Sequence, residues 1–214
     1  MSLFTVLLGG DLSVTPRLQS QIAGSRVIAA DAGIRHARAL GLAPELWVGD
    51  FDSVQEGDDT RYAGVATKTF PSEKDQTDGE LAVAEALALG ATRLILAGAF
   101  GGPRTDHAFL HLALALRLAE ASRDVLLTSG AQEGLPLLPG TSNFDYADET
   151  LFSIRGFSDL ADLTVRGAKW PLSARDVVFG SSLTISNEVR GNLSVSLGAG
   201  RALLIAHPYP PEGF

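Results

Sequence analysis

Aspartates recur in this 214-residue chain where a parallel α/β sheet would gather them. Asp31 follows the run Arg26-Val27-Ile28-Ala29-Ala30, and Asp50 follows Leu46-Trp47-Val48-Gly49, with Asp52 two residues on. Asp75 and Asp78 follow Lys68-Thr69-Phe70, and Asp106 follows Leu94-Ile95-Leu96-Ala97-Gly98. Ligands of parallel α/β sheets bind beyond the carboxyl ends of the strands. So many unpaired carboxylates on one rim repel one another, and a hard cation is the simplest counter-charge. Within Gly49-Asp50-Phe51-Asp52-Ser53, an extended backbone points side chains at i and i+2 the same way, so Asp50 and Asp52 would reach one ion. Gly, Asp and Ser also favour turns, and a plain turn is the competing reading. Thr77 and Glu80 have capping-box spacing, so Asp78 at the first helical position also suits the helix dipole.

A second group is cationic. In Gly101-Gly102-Pro103-Arg104-Thr105-Asp106-His107, a flexible Gly pair precedes Arg104 at a helix entrance. Backbone N–H groups and a forked guanidinium there would grip a phosphate, although a solvated loop arginine is the plainer alternative. The same ambiguity attaches to Lys74. Gly9-Gly10 reads as a turn after the first strand that would also allow close approach of a nucleotide. His107 and His111 sit one helical turn apart, but Ala108 stands where the zinc-protease helix requires Glu, so polar contacts and packing are expected rather than zinc.

The elements that must position these residues change character along the chain. Candidate strands at 3–8, 25–30, 45–49, 67–70, 93–98 and 124–129 alternate with helical segments 33–40, 78–89 and 106–121, the first two closed by Gly41 and Gly90. Such alternation predicts an α/β fold, a mostly parallel sheet with helices on both faces. Residues 131–142, rich in Gly and Pro, read as a linker. Beyond it, Leu151-Phe152-Ser153-Ile154, Leu163-Thr164-Val165 and Leu193-Ser194-Val195-Ser196-Leu197 alternate in twos, and Gly198-Ala199-Gly200 suggests a hairpin into Ala202-Leu203-Leu204-Ile205-Ala206. The expected organisation is a catalytic α/β domain over 1–130 and a small C-terminal β-sandwich over 143–214.

Composition narrows the function classes. Twenty-five acidic against 17 basic residues give a net charge of -8, the wrong sign for a nucleic-acid binder. The absence of cysteine excludes disulfides, thiolate metal sites and a Cys nucleophile, and fits a reducing cytoplasm. No apolar run reaches about 18 residues, so no transmembrane helix is expected, and the N-terminus lacks the basic flank of a signal peptide.

Taken in order, Ala30-Asp31-Ala32-Gly33, Gly49-Asp50-Phe51-Asp52-Ser53, Lys74-Asp75-Gln76-Thr77-Asp78 and Gly101-Gly102-Pro103-Arg104-Thr105-Asp106-His107 resemble the thiamine pyrophosphokinase family. Lys169-Trp170-Pro171-Leu172 and Ser186-Asn187-Glu188 resemble its β-domain, so the likeness covers nearly the whole chain. The resemblance implies transfer of pyrophosphate from ATP to the hydroxyl of thiamine, with release of AMP. It matches Asp50, Asp52 and Asp78 to magnesium-binding acids, with Arg104 as a further catalytic group. It also places Asp31, Lys74, Asp75, Arg104 and Asp106 on the ATP side, and Trp170, Ser186 and Asn187 against the thiamine ring. It further implies a homodimer in which the β-domain of one subunit completes the other's site.

Two departures from the family pattern are visible. Asp31-Ala32-Gly33 replaces an Asp-Gly-Gly, and Ile185 replaces a small hydroxyl residue. Neither removes a charge that phosphoryl-type transfer needs. Competing readings are a pyrophosphokinase acting on a hydroxymethylpterin, a haloacid-dehalogenase-type phosphatase with Asp50 phosphorylated and Asp52 as acid, and a non-catalytic nucleotide-binding module. The phosphatase expects a later acidic pair, and only Asp124 stands there.

Overall fold

The computed structural model describes residues 2–51, 61–71 and 75–209. The chain forms two compact units, Met1–Leu114 with Arg123–Gly130, and Ala115–Ser122 with Ala131–Phe214.

In the first unit the predicted strands appear as β1 (Leu3–Leu7), β2 (Arg26–Ala30), β3 (Leu46–Gly49), β4 (Ala66–Thr69), β5 (Arg93–Ala97) and β6 (Asp124–Thr128). All neighbours pair in parallel, in the order β6-β5-β1-β2-β3-β4. The apolar runs of β1, β2 and β5 are buried almost end to end, as expected of strands covered on both faces, whereas edge strand β4 is exposed throughout. Helix α1 (Pro16–Ile22) was not expected from the sequence, although Thr15 caps Leu18 N–H and Pro16 opens the first turn. The segment 33–40 forms a 3₁₀ turn, Asp31–Arg35, and the short helix α2 (His36–Leu40), ended by Gly41 in the left-handed region. Helices α3 (Asp78–Ala88) and α4 (Thr105–Glu120) complete the set, with α3 packed against β1, β2 and β3.

The second unit is all β apart from the end of α4. The stretch 131–142 is not a linker: it contains β7 (Glu133–Leu137) and most of β8 (Gly140–Phe144). Its Gly and Pro residues break helical and alternating patterns, yet β7 gains its partner from far away, pairing with β13 (Ala202–His207). A β7-β13-β9 ladder, with β9 at Leu151–Gly156, joins the start of β12 (Asn187–Leu197). The rest of β12 pairs with β8 and with β10 (Leu160–Ala168), which in turn pairs with β11 (Leu172–Val177). Phe152, Ile154, Leu163, Val165, Leu193, Val195 and Leu204 meet in one core, the alternate residues of each strand facing inward.

The hairpin expected at 198–200 is corrected. Strands β12 and β13 do not pair with each other; the turn instead carries the chain from β10's neighbour to β9's. Gly200 has φ +103, and a Cβ there would lie 2.3 Å from the Asp159 carbonyl oxygen, so this crossing requires glycine.

Candidate active site

Strand order reverses at β1, which has β2 on one side and β5 on the other. A crevice of about 600 Å³ opens there, bounded by the carboxyl ends of β1, β2, β3 and β5 and by the first turns of α3 and α4. Asp31, Asp50, Asp78 and Arg104, delivered by separate segments, all line it. Asp75 and Asp106 do not line it, and Asp52 and Lys74 lie outside the described residues. Among the described residues no three acids or histidines gather closely enough to hold a metal by themselves.

Asp31 is held in an unusual backbone state, with φ +42. The Trp47 indole N–H donates to its carbonyl oxygen at 2.9 Å, and a Cβ on Gly49 would touch its side chain at 3.4 Å. Asp31 Oδ1 is buried without a hydrogen-bond donor. Such an orphaned carboxylate oxygen at a crevice wall fits a cation or a ligand donor, which the chemistry of the set otherwise lacks. The adjacent Ala32 stays out of the positive-φ region, which explains how it replaces glycine; Gly33 is essential, since a Cβ there would meet Leu7 O at 2.2 Å.

At Asp50 the local expectation changes. Phe51 adopts φ +64 and sets its ring edge-on to Trp47, with centroids 4.9 Å apart. The segment is therefore not extended at its centre, and simple alternation does not place Asp50 and Asp52 on one side. Non-glycine residues with positive φ cost on the order of 1–3 kcal/mol and collect at functional sites. Asp78 opens α3 as expected, with a full capping box. Glu80 N–H donates to Thr77 Oγ1 at 3.3 Å and Thr77 N–H to Glu80 Oε2 at 3.2 Å.

Arg104 reaches Asp106 with two N–H donors, at 3.0 and 2.6 Å. This hydrogen-bonded pairing holds the Asp106 carboxyl far below the usual carboxylate range and raises the Arg104 guanidinium. Both groups are exposed, so the pair adds little stability. Its effect is to orient Arg104.

Arg35, which lines the crevice, and its neighbour His36 carry no reading from the sequence, whereas His111 makes the polar contact and packing expected of it. Arg35 Nη2 donates to the carbonyl oxygens of Gly9 and Gly10 at 2.6 and 3.3 Å. The His36 Nε2–H donates to Gly10 O at 2.9 Å, and burial lowers its pKa. His111, buried, donates from Nδ1 to Ala99 O at 3.1 Å, with its pKa also lowered by burial. Each contact spans chain segments, and for Arg35 and His36 only the Gly9-Gly10 pair hinted at it. A Cβ on Gly10 would lie 2.4 Å from two carbonyl oxygens.

In the second unit, Trp170 and Asn187 come together, with Ser186 next to Asn187 in the chain. Trp170 is 55% exposed, with Lys169 Nζ 4.8 Å from its ring centroid. Asn187 is buried, and its amide is engaged at both ends: Nδ2 donates to Trp170 O at 2.8 Å, while Oδ1 accepts from Trp170 N–H at 3.1 Å and Glu188 N–H at 2.8 Å. Asn187 thus brackets Trp170. Ser186 has φ +59 and its N–H donates to Ser153 Oγ at 3.0 Å.

A parallel sheet with a polar crevice at its reversal point, together with a β-sandwich unit, defines a two-domain α/β protein of the ligand-binding, doubly wound class. The family model for the thiamin pyrophosphokinase catalytic domain matches residues 20–127, and that for the thiamin pyrophosphokinase vitamin B1 binding domain matches residues 146–201. A thiamine pyrophosphokinase from Bacillus subtilis is 29% identical over 206 residues, covering 92% of this chain and 96% of the relative. The crystal structure of Bacillus subtilis thiamine pyrophosphokinase superposes with a TM-score of 0.85 at 26% identity, covering 96% of this chain and 99% of its own. The thiamin pyrophosphokinase from Geobacillus thermodenitrificans superposes at 0.79 with 27% identity over 100% of both chains. The chain belongs to the thiamin pyrophosphokinase family, a family of ATP-dependent pyrophosphotransferases.

Proposed function

We propose that this protein transfers pyrophosphate from ATP to the hydroxyl of thiamine, giving thiamine diphosphate and AMP, with magnesium bound by Asp50, Asp52 and Asp78. The observation that carries the chemistry is the convergence of Asp31, Asp50, Asp78 and Arg104 on one crevice beyond the strand ends. The buried, donor-less Asp31 Oδ1 and the all-oxygen donor set fit a hard cation. Magnesium, when bound, neutralises phosphate oxygens and serves as a template for them.

The chain's own groups do the rest. Arg104, oriented by Asp106, adds positive charge where phosphoryl charge develops, and the family likeness assigns Lys74 and Asp75 to the same ATP side. In the transfer, the thiamine hydroxyl oxygen bonds to the β-phosphorus and the bond to the AMP oxygen breaks. A crevice carboxylate accepts the hydroxyl proton late in that step. Trp170, exposed and braced by Asn187, offers a flat face for the aminopyrimidine, and the family likeness assigns Ser186 to the same ring.

The exposed Val178, Phe179, Leu183 and Ile185 of the second unit support a homodimer. A cysteine-free chain gains nothing from an oxidising compartment, which supports a cytoplasmic setting; among the described residues no helix is long and apolar enough to cross a membrane. Incubation with ATP, magnesium and thiamine, followed by separation of nucleotides, tests the reading: AMP with thiamine diphosphate supports it, and ADP refutes it.

A further inference from the structure

We propose that Arg35 is a phosphate-binding residue of the crevice, contacting oxygens of the nucleotide's triphosphate; this rests on the ATP-dependent reading above. Arg35 ends the 3₁₀ turn that begins at Asp31, so the turn delivers a carboxylate at its first residue and a guanidinium at its last, and both line the crevice. Its pairing differs from that of Arg104, which shares the crevice lining. Arg104 is forked onto Asp106, Arg26 onto Glu45, and Arg190 reaches Glu188 and Glu149. Arg35, sharing a crevice with three aspartates, has no carboxylate partner among the described residues and rests on two backbone carbonyls.

That anchoring has two consequences. Carbonyl oxygens at the end of β1 present negative charge to anything entering over Gly9-Gly10, and the guanidinium covers both of them. Only Nη2 is used, so Nε and Nη1 keep N–H donors for phosphate oxygens, in the planar fork that suits them. His36 Nε2–H also donates to Gly10 O, at 2.9 Å, so Gly10 keeps a second anchor when Arg35 engages a ligand. A cation anchored on neutral carbonyls, rather than neutralised by an acid, is suited to receive an anion.

The test measures binding of inorganic triphosphate with magnesium, and separately of adenosine, by calorimetry to the wild-type protein, Arg35→Met and Arg35→Lys. Charge-assisted hydrogen bonds of this type set the expected loss at about ten- to a hundredfold in triphosphate affinity for Arg35→Met. Adenosine affinity and the KM for thiamine stay within about twofold, and Arg35→Lys recovers part of the loss. Unchanged triphosphate affinity overturns the proposal. So does a parallel fall for triphosphate and adenosine together with a lowered Tm, which means that Arg35 only props the glycine loop. If triphosphate binding depends on Arg35 but the wild-type protein makes no AMP from ATP and thiamine, the functional reading fails while this contact stands. If AMP forms and Arg35→Met binds triphosphate normally, the contact alone fails.

Discussion

Asn187→Ala separates a bracket from a substrate ligand. Asn187 is 8% exposed, and its amide makes hydrogen bonds to Trp170 O at 2.8 Å, from Trp170 N–H at 3.1 Å and from Glu188 N–H at 2.8 Å. At about 0.5–1.5 kcal/mol net for each bond, the truncation costs roughly 2–4 kcal/mol. In a chain of this size each kcal/mol lowers Tm by about 2–4 °C, so a fall of roughly 5–15 °C is expected in thermal unfolding followed by circular dichroism. The kinetic consequence is directional. Trp170 loses its backbone anchor, so the KM for thiamine rises about tenfold or more while the KM for ATP stays within about twofold. Asn187→Asp keeps the acceptor but sets a carboxylate oxygen against Trp170 O at a buried position, so it lowers Tm as well. An unchanged Tm refutes the bracket. Equal rises in both KM values refute the link from the bracket to thiamine.

Other perturbations probe other parts of the molecule. Trp170→Ala removes a side chain that is 55% exposed, so Tm changes little while steady-state kinetics show a rise in KM for thiamine far larger than for ATP; equal effects mean packing only. Gly33→Ala places a Cβ 2.2 Å from Leu7 O and 2.6 Å from Leu7 C, and the backbone shift required costs about 1–3 kcal/mol, read as a lower denaturation midpoint. A midpoint equal to that of the wild type contradicts this packing. Burial lowers the pKa of His36 and His111 from 6.5 in the folded state, so below that pH the unfolded chain takes up protons first. Stability is therefore full above about pH 6.5 and declines as pH falls toward the lowered folded values, and His36→Gln flattens part of the decline. A pH-independent midpoint between about 7 and 5.5 refutes it.

What the sequence reveals is decided by the range of the interaction. Strands such as Leu94-Ile95-Leu96-Ala97 and the Thr77–Glu80 cap are legible because their cause lies within a few residues. Their order along the chain places Asp31, Asp50 and Asp78 on one rim, where all three line the crevice. By contrast, Glu133–Leu137 is a strand only because Ala202–His207 pairs with it, and no local pattern announces that. Phe51 leaves the extended region as its ring packs on Trp47, a contact that alternation ignores. Arg35 becomes conspicuous only once the turn from Asp31 swings it over Gly9 and Gly10. The hydrogen bonds that make Asn187 a brace join residues 17 apart.

Manganese binding followed by electron paramagnetic resonance, in the presence of a non-hydrolysable ATP analogue, tests most directly whether the rim acids hold a divalent ion on the phosphate chain. The wild-type protein is expected to take up the manganese–nucleotide complex, and Asp50→Asn, at an unchanged Tm, to bind it at least about tenfold more weakly. Equal uptake by the two proteins contradicts the account.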